Sequence, residues 1–317
     1  MGTIAITLIS ILIQALPALI IIYVIGLVIL FFINRELAAK ILFVTSACAA
    51  VVAVGLICVF LFIQGLPAMF DIGVFNFITG TDWRPTWDPP LFGILPMIVG
   101  SLYVTAGAIF FGVPIGIFAA TFMAKFCPKP IYGILKPSIN LLAGIPSVVY
   151  GYFGMVVLVP FVRENFGGNG MSILTASILL GMMILPTIIS ISESSMRAIP
   201  SEIYEGAIAL GASNENATFR VILPAAKSGV MASVILGIGR AIGETMAVRM
   251  VAGNQTILRM PNEFLSGART LTSNVVIELG YAADEHRAAL IATGVVLFVF
   301  ILIINVLFSI LKKREGI

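Results

Sequence analysis

The 317 residues are 60% hydrophobic and only 10% charged, with a mean hydropathy of +1.11 and a net charge of +3. A soluble domain carries roughly 25% charged residues, so this chain lacks the polar cover that a water-facing surface needs. Three cysteines without a CxxC pair (Cys48, Cys58, Cys127) and a single histidine, His286, exclude a zinc site of the usual kind, and no basic tract suggests nucleic acid. The expectation is an all-α polytopic membrane protein in the lipid bilayer, with no metal and no cofactor.

A bilayer core takes about 20 consecutive apolar residues in a helix. Seven stretches qualify in chain order: Ile4–Ile33, Ile41–Leu66, Ile94–Met123, Ile139–Val162, Ile173–Ile191, Gly229–Met250 and Ala288–Leu311. The first has no basic n-region and too long an apolar run for a cleaved signal peptide. One membrane domain is the simplest division, with no internal repeat.

Basic residues set the orientation. Of the 18, eleven flank one side: Arg35, Lys40, Lys125, Lys129, Lys136, Arg197, Arg220, Lys227, Lys312, Lys313 and Arg314. Five flank the other: Arg84, Arg163, Arg259, Arg269 and Arg287. The richer side reads as cytoplasmic, which places the N-terminus outside and the C-terminus inside. Two external segments exceed a turn, Pro67–Gly93 and Ala252–Arg287, and Arg269 in the second reads as a peripheral cation.

The cytoplasmic segment Met196–Lys227 breaks the hydrophobicity with helix punctuation. Ser201 is placed to cap a short helix with Glu202 and Glu205 in its first turns, and Gly211 to stop it. Ser213 with Glu215 starts a second short helix, and Leu223-Pro224 marks the return to the membrane. A knob of two helices and a loop on the membrane surface both fit these features. The order Glu205-Gly206-Ala207, three residues, Gly211, nine residues, Val221-Ile222-Leu223-Pro224 resembles the EAA signature of ABC importer permeases, with Gly206 in place of Ala and Val221 in place of Ile. The resemblance implies a type I importer permease fold and a pair of coupling helices that dock in a cleft of a cytoplasmic ATPase. On that reading Glu205, Gly206, Ala207, Gly211, Leu223 and Pro224 carry the coupling.

The sixth stretch contains Gly237-Ile238-Gly239-Arg240-Ala241-Ile242-Gly243-Glu244-Thr245-Met246-Ala247-Val248-Arg249. In an unbroken helix Glu244 follows Arg240 by one turn on the same face, and Arg249 lies about 13 Å further along, snorkelling to the interface. An arginine at mid-span costs about 2.5–3.5 kcal/mol on insertion scales, so it faces a bundle interior or a polar cavity. Either a substrate contact or a structural Arg–Glu pair accounts for it. Two rows of small residues, Gly229/Ser233/Gly237 and Gly239/Gly243/Ala247, suit close helix packing. A guanidinium matches a tetrahedral oxyanion. The adjacent carboxylate repels a fully ionised anion but accepts from a protonated P–OH, which points to phosphate over sulfate.

Gly237–Val248 is similar to the strongest motif of the phosphate-specific ABC permease family PstC. Ala143–Gly151 and Phe77–Pro85 resemble two further segments of that family. The resemblance covers the chain from about Lys40, which leaves residues 1–40 as an extra N-terminal helix before a six-helix permease domain at 41–317. It implies a PstA-like partner permease, two PstB-like ATPases and an external phosphate-binding protein, with Arg240, Glu244 and Thr245 on the substrate pathway. It also makes the two long external segments the contacts for the binding protein. No Walker A sequence occurs, so ATP hydrolysis belongs to a partner and the chain is not itself an enzyme. A permease for another oxyanion (sulfate, molybdate, tungstate) would share the coupling segment and lack the Gly-Arg-x-x-Gly-Glu-Thr theme. An ATP-independent transporter or channel would need no coupling segment.

Overall fold

A computed structural model describes residues 17, 21, 23–26, 28–260 and 262–314, with the side chains of 308, 309 and 311–314 left aside. The first expected span therefore lies mostly outside the described residues, and only the short apolar helix α1 (Tyr23–Ile33) stands for it. The chain divides into two compact units, Met1–Phe60 and Leu61–Ile317.

The first unit holds α1 and the start of α2 (Arg35–Ile72). Asn34 separates them and caps α2, its Oδ1 accepting from the Leu37 N–H at 3.1 Å. Val51, Val52 and Ile57 are more than half exposed, which suits a helix solvated by lipid. In the second unit α2 runs through Pro67 to Ile72 and does not stop at Leu66. Its end packs on α15 (Asp284–Arg314), where a Cβ on Gly65 would lie 2.5 Å from Val295.

Gly73, at φ 90°, turns the chain into α3 (Val74–Thr79), and a two-stranded antiparallel hairpin follows, β1 (Trp83–Arg84) on β2 (Leu91–Phe92). α4 (Leu95–Thr121) winds into a π-turn at Phe122–Phe126. α5 (Lys129–Gly144) then ends at an extended Ile145, because the ring of Pro146 disfavours the helical region for the residue before it. A new helix begins, α6 (Ser147–Phe153), and continues through a π-turn into α7 (Val159–Phe166). The fourth span is thus Ser147–Phe166, shifted from the expected Ile139–Val162.

α8 (Ile173–Arg197) is the most buried of the long helices, capped by the Ser172 hydroxyl on the Thr175 N–H at 3.2 Å. α4 lies against it along a row of small buried residues, Ala108, Gly112, Gly116 and Ala120. A Cβ at Gly112 would fall 2.8 Å from Ile184, and one at Gly116 2.7 Å from Ile188. The expected row Gly229/Ser233/Gly237 also packs on α8: Ser233 shares a 2.7 Å hydrogen bond with Ser192, and a Cβ on Gly237 would lie 3.1 Å from Ile188. The second row does not pack as one, since Gly239 and Gly243 meet nothing within 4 Å. Counted by length and composition, five described helices can cross a membrane, or six if Asn214–Ala225 and Lys227–Gly243, bent by 70°, form one span.

Candidate functional site

The sixth stretch is not one helix. α12 (Lys227–Gly243) ends at Gly243, and Glu244 is extended at φ −71° and ψ 127°. A short second helix, α13 (Met246–Val251), starts after Thr245. The expected one-turn Arg240–Glu244 pair is therefore corrected: among the described residues the two form no ion pair. Arg240, half-buried, donates from Nη1 to Thr187 Oγ1 on α8 at 3.3 Å. Glu244 turns the other way and accepts the Ala247 N–H on Oε1 at 3.2 Å, capping α13.

The break is held by neighbours. Thr272 Oγ1, on α14 (Leu271–Glu278), donates to the Glu244 carbonyl at 3.2 Å, replacing the helical donor that the carbonyl lost. Thr245 Oγ1 donates to the Gly243 carbonyl at 3.3 Å. Ala247 is fully buried and lies against Gly151 on α6, where a Cβ would be 3.1 Å from the Ala247 Cα. Beside Glu244 is a small polar cavity of about 10 Å³ with Ser101, Thr105 and Thr270 in its wall, room for one water. By contrast, the 460 Å³ cleft between α5, α6 and α8 is lined by Leu142, Phe153, Leu185 and Ile189 and suits no anion. Arg249 is exposed on α13, off the axis of α12.

Among the described residues Arg240 thus keeps most of its five N–H donors unused, on a helix where a Cβ on nearby Gly239 or Gly243 would meet nothing within 4 Å. A backbone break at membrane depth is tolerated only where protein or a polar cavity satisfies it. Such a site offers cationic donors to an anion.

The segment Met196–Lys227 contains two short helices. α9 (Ser201–Ala209) starts after Pro200, so Ser201 is its first residue and not its cap, a correction to the expected start. Its end is a Schellman motif: the Ala212 N–H bonds the Ala207 carbonyl at 3.1 Å and the Gly211 N–H the Ile208 carbonyl at 2.9 Å. Gly211 sits at φ 89°, which only glycine adopts without strain. α10 (Asn214–Ala217) is capped by Ser213 on the Asn216 N–H at 3.3 Å. The Glu215 backbone N–H, then the Ser213 hydroxyl, hold the Glu215 carboxyl below the usual range. Tyr204 joins the two helices through Asn214 Oδ1 at 3.2 Å.

A π-turn at Thr218–Ile222 leads into α11 (Leu223–Ala225), with Leu223 packed on the core cluster of Met123, Met196 and Ile222, and Pro224 exposed. Glu205 and Gly206 are exposed, Ala207 is half-buried, and Leu210 at the corner is 91% exposed. A Cβ on Gly206 would meet nothing within 4 Å, so glycine there is not a packing requirement.

Two further charged groups escaped sequence reasoning. Glu193, 1% exposed on α8, is held by Lys136, Arg197 and Tyr132. Glu278, 6% exposed, accepts from Trp83 Nε1 and His286 Nε2, both at 2.8 Å, and pairs with Arg269. Arg269, whose side chain is 14% exposed, also donates to Asn254 O and Asn274 Oδ1, both at 3.0 Å, so it is no peripheral cation. A hydropathy drop within α8 was the only local signal for Glu193.

Residues 112–316 match the family described as the binding-protein-dependent transport system inner membrane component. The chain belongs to that family. A probable ABC transporter permease protein, YqgH of Bacillus subtilis, is 40% identical, covering 84% of this chain and 89% of its own. The phosphate transport system permease protein PstC of Mesorhizobium japonicum is 34% identical over 82% of this chain and 84% of its own. Among solved structures, a bacterial alginate ABC transporter in complex with an alginate-bound periplasmic protein aligns at TM-score 0.62, 15% identity, 90% of this chain and 97% of that one. The MetNI methionine ABC transporter in inward-facing form aligns at TM-score 0.55 and 19% identity, covering 69% and 95%. These structures share the fold: the chain is a PstC-like multi-pass permease of the type I importer class.

Proposed function

We propose that this chain is the PstC-type membrane subunit of an ATP-driven importer of inorganic phosphate. The observation that carries the reading is Arg240: a half-buried guanidinium with unused donors, beside a backbone break, inside the segment that resembles the phosphate-specific permeases. On this reading Arg240, Glu244 and Thr245 lie on the substrate path. The break makes the Glu244 carboxylate the pivot between α12 and α13.

The partners are a PstA-like permease, two PstB-like ATPases that hydrolyse ATP, and an external phosphate-binding protein that docks on the outer segments. The N-terminus is outside, the C-terminus is cytoplasmic, and residues 1–40 supply an extra span ahead of the permease domain at 41–317, with α2 already under way from Arg35. ATP closes the ATPases and draws the α9–α10 knobs together. The Schellman corner keeps each knob stiff, so its motion reaches α12 through α11 and reorients Arg240.

Radiolabelled phosphate uptake in a strain lacking its own high-affinity importer tests this reading. Uptake that needs this chain, a partner permease and an ATPase is expected, without competition by sulfate or molybdate. Uptake of sulfate in its place would overturn it.

A further inference from the structure

The unburied face of α8 carries a second polar position on the cytoplasmic side of Arg240. Thr187 and Ser190 are half-buried and Ser194 is exposed, at three- and four-residue steps that share one face, whereas Ile188, Ile189 and Ser192 are buried. Thr187 holds Arg240. Ser190 lies about 4.5 Å further toward the Arg197 end at 1.5 Å per residue. Its hydroxyl accepts from Lys136 Nζ, on α5, at 3.3 Å.

Lys136 also pairs with Glu193 Oε2 at 2.6 Å, and its side chain remains 25% exposed. Glu193 takes the Tyr132 hydroxyl at 3.0 Å and the Arg197 guanidinium as well. Arg197 is in turn fixed by the Met123 carbonyl at 2.8 Å and by the Tyr132 ring, 4.2 Å from its Cζ.

Two features follow from counting. Lys136 and Arg197 set two positive charges against one carboxylate, so the cluster is net positive. An ammonium has three donors; Glu193 and Ser190 use two, and the third has no partner among the described residues. The Ser190 hydroxyl proton likewise has no acceptor among them. A surplus positive charge with two open donors at a half-buried point is what a tetrahedral oxyanion takes.

We propose that Lys136 and Ser190 form a second anion station, between Arg240 and the cytoplasmic mouth, which takes phosphate as it leaves Arg240. The inference rests on the phosphate-import reading. Glu193 acts as a positioning residue: it fixes the ammonium beside Ser190 and cancels part of its charge. The station then binds weakly enough to release its anion, as conduction through successive sites requires.

The competing explanation is that Lys136 only neutralises Glu193, and a double-mutant cycle in the full transporter, reconstituted with phosphate as substrate, separates the two. Under the proposal Lys136→Gln lowers uptake by about tenfold or more, the scale of a lost charge-assisted contact. Glu193→Gln, whose amide oxygen still accepts from Lys136, lowers uptake by less than Lys136→Gln does, and the double variant stays as low as Lys136→Gln. Lys136→Arg restores most of the uptake, and Ser190→Ala loses several-fold. If the lysine serves only the carboxylate, Glu193→Gln is as impaired as Lys136→Gln and the neutral double variant recovers; that pattern overturns the station. Should Lys136→Gln fail to reach the membrane, Ser190→Ala and Glu193→Gln decide, and parent-like uptake by Ser190→Ala with loss in Glu193→Gln overturns it too. A parent transporter that moves no phosphate refutes the import reading itself, which this cycle leaves distinguishable.

Discussion

Replacing Glu278 with alanine tests how the hairpin, the loop before α14 and the start of α15 are held together. Its carboxylate gathers Trp83 from the hairpin, Arg269 from the loop before α14, and His286 from α15. An ionised carboxylate only accepts, so His286 presents its Nε2–H here. Removing one partner of a buried ion pair costs about 3–5 kcal/mol. Arg269 keeps Asn254 O and Asn274 Oδ1, which moves that cost to the low end. The Trp83 indole N–H, in a residue 5% exposed, is left unpaired, which adds about 1–3 kcal/mol. The total is about 4 kcal/mol, a fall of about 10 °C in the unfolding midpoint. Tryptophan fluorescence during heating in detergent reads it, because Trp83 sits at the hub. Glu278→Gln, which keeps an acceptor for Trp83, should lose about half as much. Arg84→Ala is the control: its pair with Asp82 is 3.3 Å long but half exposed, so the midpoint should hardly move. Equal midpoints for Glu278→Ala, Arg269→Ala and the parent would refute the hub.

Four shorter predictions accompany it. Gly112→Ala forces a Cβ to 2.8 Å from Ile184 and should cost about 1–3 kcal/mol, whereas Gly133→Ala meets nothing within 4 Å; membrane levels and thermal midpoints compare them. Gly211→Pro cannot adopt φ 89°, so it and Glu205→Arg should leave the chain inserted but uncouple ATP hydrolysis from uptake, while Gly206→Ala is silent in the same ATPase assay. Arg240→Gln should abolish uptake with assembly intact, and Glu244→Gln, which still accepts from the Ala247 N–H, isolates the role of its charge; full uptake by Arg240→Gln would remove Arg240 from the path. A cysteine introduced at Ser213 should resist an impermeant thiol reagent in intact cells, and labelling there would reverse the assigned orientation.

Membrane residence was legible because composition alone rules out a water-facing surface. The two short helices were legible because their signals are local: Gly211 marks a helix stop and Ser213 a helix start, and both sit where they were expected, although these signals did not separate a knob from a surface loop. The fourth span moved because a hydropathy window does not see backbone geometry, although Pro146 marked the place where α5 had to stop. In the sixth stretch the apolar run hid a break. Gly243 was its one local mark, and the Thr272 hydroxyl that satisfies the opened Glu244 carbonyl comes from 28 residues away.

The charged groups explain why the rest was illegible. Glu193 finds Lys136 57 residues earlier and Tyr132 61 earlier, while Glu278 finds Trp83 across 195. A carboxylate buried in a membrane protein must have donors, but nothing in its own neighbourhood says which helix supplies them. Counting charges by side treated Lys136, Arg197 and Arg269 alike, as markers of topology. Their partners separate them: Arg269 is spent on a closed hub with Glu278, whereas Lys136, on α5, has one donor without a partner among the described residues. Further along α8, Thr187 is the one hydrogen-bond partner of Arg240 among the described residues. Incomplete satisfaction is costly inside a membrane, so the donors left open on Arg240 and Lys136 among the described residues support the proposed anion path, whereas a filled hub such as Glu278 suits a brace.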